Sequence, residues 1–424
     1  MEKEQIYWKL FGIKLISFKK LETGEIIGTG FLNPLLEKFR LFTMIILQAN
    51  FYRNYETGKW NGKTVSNTFA PPIGSLPQFR ALKGLVRTHI LRHPRPIAMT
   101  FAVTYRCQCN CVHCSAGNHI KQGVPELSTV EAKKLIDDAQ RLGITILAFT
   151  GGEPLLRKDI YELIAHVDTR KAMPIIFTNG LLLTEKNADL LAKAGLYSIF
   201  VSIDNPDPGE HDKLRRKPGI FEAAMKGLQR MKERGVFVGL SSYATRSGTE
   251  KGMYKKLHEF AREIGAHNVI LFDGVPTGNL LHDTTEILTN EQREEIHQYS
   301  ADVFRKKIIP PLSSQSWQNS VEGNLSGIGC LAANIQFYAS AYGDIAPCDF
   351  TPLSFGNIRE EALKGIWKKM VQHPAYNHRS TCCRMQLQKF RQFYIDPIPE
   401  GSILPYDINK LPRVDYRQAE VKQQ

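Results

Sequence analysis

Four of the eight cysteines in this 424-residue sequence fall within one short segment, and their spacing suits the binding of a metal cluster. Cys107, Cys111 and Cys114 form the pattern C-x3-C-x2-C directly after an apolar stretch. Three thiolates at these spacings on a tight loop can reach three corners of an iron–sulfur cubane and leave the fourth iron without a protein ligand. An open iron can chelate a small molecule, so this segment is a candidate catalytic centre.

A zinc site is the alternative for the same segment, because structural zinc takes four protein ligands. Candidates for the fourth ligand are Cys109, His113 and His119. We interpret Cys109, which lies inside the three-residue spacer, as a thiol that does not bind the metal.

The other four cysteines form a second group towards the end of the sequence. Cys330, Gly343 and Cys348 give the pattern C-x12-G-x4-C, and the adjacent Cys382 and Cys383 follow later. All eight cysteines lie in these two groups, which favours metal ligation over a disulfide framework. We therefore expect the four cysteines of the second group to bind metal. The alternatives are three cysteines with a non-cysteine ligand, an iron left open for substrate, and four ordinary buried thiols.

A glycine-containing motif, Thr150-Gly-Gly-Glu153-Pro154, closes the second predicted strand. Together with C-x3-C-x2-C it resembles the radical SAM enzyme superfamily. The hallmarks of that superfamily are C-x3-C-x-aromatic-C after the first strand of a partial (β/α)6 barrel and GGEP after the second. The resemblance implies that Cys107, Cys111 and Cys114 hold a [4Fe-4S] cluster whose open iron binds S-adenosylmethionine. It also implies reductive cleavage of that cofactor to a 5′-deoxyadenosyl radical, which abstracts hydrogen from the substrate.

The same resemblance implies which residues contact the cofactor. His113 stands where the family has an aromatic residue near the adenine, and polar residues at the strand ends hold the ribose and the carboxylate. Glycines without a Cβ let backbone carbonyls approach the cofactor's ammonium group. The implied cofactor-binding residues are His113, Gly151, Gly152, Glu153, Asn179, Ser202 and Asp204. The stretch from His211 to Phe221 also resembles the family, and we interpret it as mainly structural.

The second cysteine group resembles the start of the C-terminal extension called SPASM, or its shorter form Twitch. A full SPASM domain carries more cysteines, for two clusters, so the four present here allow one auxiliary cluster. Its expected ligands are Cys330, Cys348, Cys382 and Cys383. Such a cluster suits an oxidative reaction, because it can accept the electron left on a substrate radical.

From residue 97 onwards, apolar runs alternate with helical patterns. Strands are predicted at 97–103, 144–149, 173–177, 198–203, 236–240 and 268–272, and helices at 128–142, 158–168, 184–194, 221–234, 250–264 and 289–307. Alternating strands and helices imply a parallel sheet with its chemistry at the carboxyl ends of the strands. We therefore expect an α/β fold: a partial (β/α)6 TIM-like barrel with a basic N-terminal extension and a small cysteine-containing C-terminal domain. The predicted domains are 1–96, 97–310 and 311–424.

The N-terminal quarter carries most of the net charge of +13, with 15 Lys and Arg against 6 Asp and Glu in residues 1–98. A hairpin is predicted within 12–27, an amphipathic helix at 34–52 and a linker at 70–77. The basic, apolar segments 34–53 and 79–95 fit either a peripheral membrane surface or a cover packed on the barrel.

Composition narrows the class of protein further. The content of 42% hydrophobic and 23% charged residues is that of a folded chain. A secretory signal and a run of 18 apolar residues are both missing from the sequence, so we expect a cytoplasmic protein. Nucleic-acid binding is not expected, because no aromatic and basic recognition motif accompanies the charge.

Three readings of the function stay open. The first is radical modification of a peptide, and the second is the same chemistry on a hydrophobic or anionic small molecule such as a tetrapyrrole or a membrane lipid. The third, of another class, is a non-catalytic iron–sulfur electron carrier or scaffold. For either enzyme we expect a reductant such as ferredoxin or flavodoxin as a partner.

Overall fold

The structure is a computed structural model that describes residues 5–10, 13–20, 26–29, 56–89, 93–315, 329–378, 380 and 382–418. Its strands are β1 Gln5–Leu10, β2 Ile13–Lys20, β3 Ile26–Thr29, β4 Gly58–Trp60, β5 Lys63–Val65, β6 Ala98–Thr104, β7 Ile146–Gly151, β8 Met173–Thr178, β9 Ser198–Ser202, β10 Phe237–Ala244, β11 Asn268–Asp273, β12 Leu312–Ser314, β13 Gln336–Ala339, β14 Ile345–Ala346, β15 Leu353–Ser354 and β16 Tyr406–Asp407. Its helices are α1 Leu76–His89, α2 Thr129–Leu142, α3 Ile160–His166, α4 Glu185–Lys193, α5 Pro208–Arg215, α6 Ile220–Glu233, α7 Arg246–Glu250, α8 Met253–Glu263, α9 Asn290–Arg305, α10 Leu363–Gln372 and α11 Gln388–Tyr394.

The central element is a nine-stranded sheet in the order β12-β11-β10-β9-β8-β7-β6-β13-β14. Strands β6 to β12 pair in parallel with their neighbours in chain order. On the other side of β6, β13 pairs in parallel, and β14 returns antiparallel to β13. The six predicted strands are confirmed as β6 to β11, and the α/β fold with a partial barrel is confirmed with them.

The two faces of the sheet are covered differently. One face packs against the helices, through buried residues such as Leu135 of α2 and Leu163 of α3. The other face carries a second apolar cluster that includes Tyr197, Phe200 and Phe237. Because successive strand residues point to opposite faces, this second cluster lines the interior of the partial barrel.

Residues 56–75 fill that interior at the amino ends of the strands. The ring of Trp60 meets Tyr197 edge-on at 5.7 Å between centroids. Hydroxyls of Tyr197 and Ser198 donate to the carbonyls of Ala70 and Thr68, at 2.9 and 2.8 Å. The linker predicted at 70–77 is therefore wrong, because Ala70 and its neighbours are buried and α1 begins at Leu76.

The predicted N-terminal hairpin corresponds to β2 and β3, which pair antiparallel. The predicted helix at 34–52 lies outside the described residues. In the second basic segment, Ala81, Leu82 and Leu85 of α1 are buried. The apolar residues described in that segment thus pack against the protein. Among the described residues, no helix combines the length and apolar character needed to cross a bilayer.

Candidate functional site

The loop that carries the first cysteine group begins at the carboxyl end of β6 and is held from two sides. After β7, the amides of Gly152 and Glu153 donate to the carbonyls of Thr104 and Arg106, at 2.7 and 2.8 Å. After β11, Asn279 donates from its backbone to the carbonyl of Cys114 at 3.0 Å and from its side chain to that of Cys111 at 3.1 Å. These anchors fix the loop at the end of the barrel where the βα loops gather.

Gly151 and Gly152 lie under this loop. A Cβ on Gly151 would be 2.1 Å from the carbonyl oxygen of Thr104, and one on Gly152 would be 2.3 Å from that of Arg106. Gly151 also has a φ of +130°, which side chains rarely adopt. In this structure the missing Cβ atoms allow the close approach of the cysteine loop, and the expected approach of a cofactor's ammonium group to Gly151 and Gly152 stays a prediction.

Glu153 is completely buried and joins the ends of two strands. Its carboxylate accepts from the Thr178 hydroxyl at 2.8 Å and from the Asn179 amide at 2.9 Å. Burial raises the pKa of Glu153 to about 7 despite these hydrogen bonds. The carboxyl group therefore supports the backbone between β7 and β8.

Four thiols gather on the loop. Cys107 is exposed, Cys109 and Cys114 are half-buried, and Cys111 is buried. The Cys109 thiol is in hydrogen-bonding contact with the sulfurs of Cys107 and Cys111. That contact lowers the pKa of Cys107 to about 6 and also lowers that of Cys111, while burial raises the pKa of Cys114 to about 11. The Asn179 amide nitrogen lies 3.8 Å from the sulfur of Cys107.

A second set of polar groups lies beside the loop at the ends of β9 and β10. Arg215 of α5 donates to both carboxylate oxygens of Asp204, from Nε at 2.6 Å and from Nη2 at 2.9 Å. His113 reaches the same carboxylate at 3.4 Å and its ring lies 4.0 Å from that of Tyr243. Burial alone would raise the pKa of Asp204, but Arg215 and His113 outweigh it and hold that pKa at about 2. Burial lowers the pKa of His113 to about 4, so its ring is neutral.

These residues fit an iron–sulfur cluster with an attached ligand. In the described part of the chain, no three His, Cys, Asp or Glu side chains surround a single ion-sized position. The thiolates of a cubane each bind a different iron, so they need not converge on one point. On this loop, three of the buried side-chain atoms that have no partner among the described residues are Nδ1 of His113 and both polar atoms of Gln108. Such atoms call for a bound group, because buried polar groups are normally hydrogen-bonded.

The barrel interior lies beside this loop. Ser202, on the face away from the helices, is half-buried, as are Phe177 and Tyr243. Phe272 of β11 meets Phe350 of the C-terminal region at 5.0 Å between ring centroids, and both rings are half-buried. Half-buried aromatic rings of β8, β10 and β11 therefore lie on the interior side of the barrel.

The second cysteine group is also brought together. Cys330, Cys348 and Cys383 are buried and Cys382 is half-buried. The thiols of Cys330 and Cys383 are in hydrogen-bonding contact, and the Cys348 sulfur lies 3.2 Å from the Thr351 hydroxyl. The Arg384 side chain, 2% exposed, contacts Cys330. Buried thiols that meet a buried cation fit an anionic, thiolate-bound cluster.

Sequence reasoning missed several groups at the first site. Arg215 was interpreted as structural, yet it determines the charge of Asp204. Tyr243 and Asn279 carried no motif, and only the pairing of distant strands brings them to the loop. A usable signal existed for Arg215, because it follows Asp204 within the loop and helix after β9.

Two family models match the chain. The model of the radical SAM superfamily matches residues 101–245. A model described as an iron–sulfur cluster-binding domain, SPASM, matches residues 330–395. The first match spans the cysteine loop and β6 to β10, and the second spans all four cysteines of the C-terminal group.

Curated relatives and solved structures agree with these matches. An AdoMet-dependent heme synthase of Oleidesulfovibrio alaskensis is 32% identical over 290 residues, which are 64% of this chain and 74% of the relative. A PqqA peptide cyclase of Granulibacter bethesdensis is 27% identical over 281 residues, again 64% of this chain and 74% of the relative. The structure of Streptococcus suis SuiB bound to its precursor peptide SuiA superposes with a TM-score of 0.52 at 16% identity. The match covers 86% of this chain and 87% of the SuiB chain, and it shows that the two share a fold.

Proposed function

The chain belongs to the radical SAM superfamily and is an enzyme with a SPASM domain, and from this premise we propose that Cys107, Cys111 and Cys114 bind its catalytic [4Fe-4S] cluster. The observation that carries the proposal is one loop that presents these thiols at the carboxyl ends of the strands. A [4Fe-4S] cluster held by these three thiolates would, when reduced, supply the electron for cleavage of S-adenosylmethionine and so the radical chemistry on the substrate.

The chain's own residues position the groups of the site. Glu153 holds the ends of β7 and β8 in place, and Asp204 with Arg215 fixes the ring of His113. We assign His113 to the adenine side of the cofactor, where its neutral ring lies against Tyr243. Asn179 and Ser202 are assigned to the polar groups of the cofactor, since both lie at strand ends beside the loop.

We further propose that residues 97–310 form the catalytic barrel, to whose sheet β12, β13 and β14 of the region 311–424 add strands, and that this C-terminal region binds one auxiliary cluster. Cys330, Cys348 and Cys383 are its central ligands, with Cys382 beside them. An auxiliary cluster held by these cysteines would accept one electron from the substrate radical that hydrogen abstraction leaves, and the outcome would then be oxidative. The reductant of the first cluster would be a ferredoxin or flavodoxin.

For the substrate we propose a planar, hydrophobic molecule with anionic groups, of the tetrapyrrole class. The rings of Phe177, Phe272 and Phe350 support an aromatic ligand, because offset and edge contacts between rings are favourable. The heme synthase named above supports the same class. A peptide is the second candidate, favoured by the PqqA peptide cyclase.

The enzymatic proposal is tested by anaerobic reconstitution with iron and sulfide, followed by S-adenosylmethionine and dithionite. We expect 5′-deoxyadenosine from the wild type and none from the Cys107→Ala/Cys111→Ala/Cys114→Ala variant. A wild-type protein that contains the first cluster by EPR but yields no 5′-deoxyadenosine would contradict the enzymatic proposal.

The substrate proposal is tested with coproporphyrin III as a fluorescent probe. We expect saturable binding that Phe272→Leu weakens about 10-fold, whereas Phe260→Leu, on the helix side of the barrel, leaves it unchanged. If the protein formed 5′-deoxyadenosine but bound no porphyrin, the tetrapyrrole proposal would be wrong and a peptide would be the remaining candidate substrate.

A further inference from the structure

The most deeply buried cation among the described residues of the C-terminal region is Arg384, which directly follows Cys383. Its side chain is 2% exposed and donates to the carbonyls of Ala375, at 3.0 Å, and of His378. Its guanidinium carbon also lies 5.0 Å from the centre of the Tyr376 ring. All these partners are neutral, so they orient the guanidinium without balancing its charge.

Two other arginines with little exposed side chain in the described chain are paired with carboxylates. Arg157 binds Asp159 at 2.8 Å, and Arg215 binds Asp204 at 2.6 Å. For Arg384, none of the described residues provides such a carboxylate; the acidic groups that act on it are Cys330 and two tyrosine hydroxyls. A buried charge costs several kcal/mol unless an opposite charge compensates it. The thiol group is therefore the place where the compensating negative charge belongs.

Donors converge on the sulfur of Cys330. The groups that act on it are the Arg384 side chain, the backbone amides of Arg384 and Ala332, and the Cys383 thiol. Hydrogen bonds to cluster sulfurs and nearby charge are the means by which a protein sets a cluster's reduction potential. Because reduction adds a negative charge, an adjacent buried cation stabilises the reduced form.

We propose that Arg384 is the buried counter-cation of the auxiliary cluster and that it raises the reduction potential of that cluster. The proposal rests on the auxiliary cluster proposed above, and it makes Arg384 a positioning residue that acts through Cys330. The effect would be to favour transfer of an electron from the substrate side to the auxiliary cluster.

The test uses the full chain in a Cys107→Ala/Cys111→Ala/Cys114→Ala background, so that every cluster signal comes from the auxiliary site. Arg384→Gln removes the charge, and Arg384→Lys keeps the charge but cannot bridge the same two carbonyls. Each protein is reconstituted anaerobically, its fold is checked by circular dichroism, and its cluster is titrated with dithionite under EPR. The rate at which a chelator removes iron is a second readout that needs no enzyme activity.

We expect Arg384→Gln to lower the ratio of reduced to oxidised cluster at least tenfold at a fixed potential, which is about 59 mV for one electron. Loss of iron to the chelator should be faster in the same variant, and Arg384→Lys should keep most of the potential. An unchanged potential in a folded Arg384→Gln protein would overturn the proposal. So would equal shifts in both variants, which would assign the effect to the carbonyl contacts, or a background protein without iron. None of these results bears on 5′-deoxyadenosine formation, which depends on the first cluster.

Discussion

The two cysteine groups differ in how their surroundings are charged and closed. Beside the first group, the charge of Arg215 is already balanced by Asp204, and Cys107 is exposed. In the second group, Cys330, Cys348 and Cys383 are buried, and Arg384 meets sulfur and neutral groups. An exposed cysteine loop whose neighbouring arginine is already paired suits a centre that admits an external ligand. A buried cysteine group beside an arginine without a carboxylate partner suits an anionic cluster that is bound permanently. The charge around the thiols thus distinguishes the group that we propose to be catalytic from the group that we propose to hold the auxiliary cluster.

The sharpest way to break this comparison is to remove one ligand from each group. Cys107→Ser should lower 5′-deoxyadenosine formation by about 100-fold or more, because losing a ligand costs more than losing an outer contact of a metal site. Cys348→Ser should keep that formation and lose modified substrate. The measurement is anaerobic turnover with chromatographic detection of 5′-deoxyadenosine.

Cys109→Ser is the matched control for this experiment, since Cys109 lies two residues from Cys107 on the same loop. We expect it to keep at least about half of the activity, because serine preserves a small polar group at a position that we do not assign to the cluster. If Cys109→Ser instead abolished activity as Cys107→Ser does, the ligand assignment on this loop would be wrong.

The next largest effect is expected on stability, when Arg215 loses the carboxylate of Asp204 that balances its charge. Asp204→Asn leaves Arg215 buried without its counter-charge, so the free energy of unfolding of the cluster-free protein should fall by about 3–5 kcal/mol. Urea denaturation measures this change. The control is Glu222→Gln, at an exposed pair with Lys226, where no measurable change is expected. A loss from Asp204→Asn as small as that of the control would remove the distinction between the two arginines.

Two carboxyl groups near the first cysteine loop should respond to pH in opposite directions. The pKa of Asp204 is lowered to about 2, so its stabilisation is kept at neutral pH and lost only as pH falls through that value. The pKa of Glu153 is raised from 4.5 to about 7 by burial, so its contribution is complete below about pH 4.5 and is lost as pH rises through 7.

For Glu153 this gives a measurable difference. Between pH 5 and pH 8 the wild type should lose about 2–3 kcal/mol of unfolding free energy relative to Glu153→Gln, which cannot ionise. Denaturation of the cluster-free proteins at both pH values tests the expectation. Parallel pH profiles for the two proteins would show that Glu153 is ionised throughout.

The strands of the barrel could be predicted from the sequence because both of their faces are buried. A strand such as β8, Met173–Thr178, therefore appears as a continuous apolar run. Strand β13, Gln336–Ala339, could not be found in this way, because it is short and its partner β6 lies far away in the chain. The burial of residues 56–75 in the barrel interior was not predicted for a related reason. The prolines and glycines of this segment are typical of a linker, and they are buried only because the segment packs inside the barrel.

For the site, spacing predicted which side chains come together but not what each one touches. The cysteine loop and the glycine motif are local patterns, so both were visible in the sequence. The role of Glu153 depends on Thr178 and Asn179 at the end of the next strand, which no local pattern reports. The unbalanced charge of Arg384 likewise depends on residues that surround it in space, and a sequence does not show a missing counter-ion.

The smallest expected effect separates two neighbours in the second group. Cys383 is buried in contact with Cys330, whereas Cys382 is half-buried and its backbone carbonyl accepts from the Ser380 hydroxyl at 2.7 Å. In the background that lacks the first cluster, Cys383→Ser should lose most of the iron, and Cys382→Ser should lose about half or less, since outer positions of a metal site contribute less than its buried ligands. Iron is counted colorimetrically after anaerobic desalting.

Because both variants change one sulfur to oxygen at adjacent positions, each is the control for the other. Equal losses would mean that both neighbours bind the cluster, and the second group would then have four ligands instead of three and a bystander.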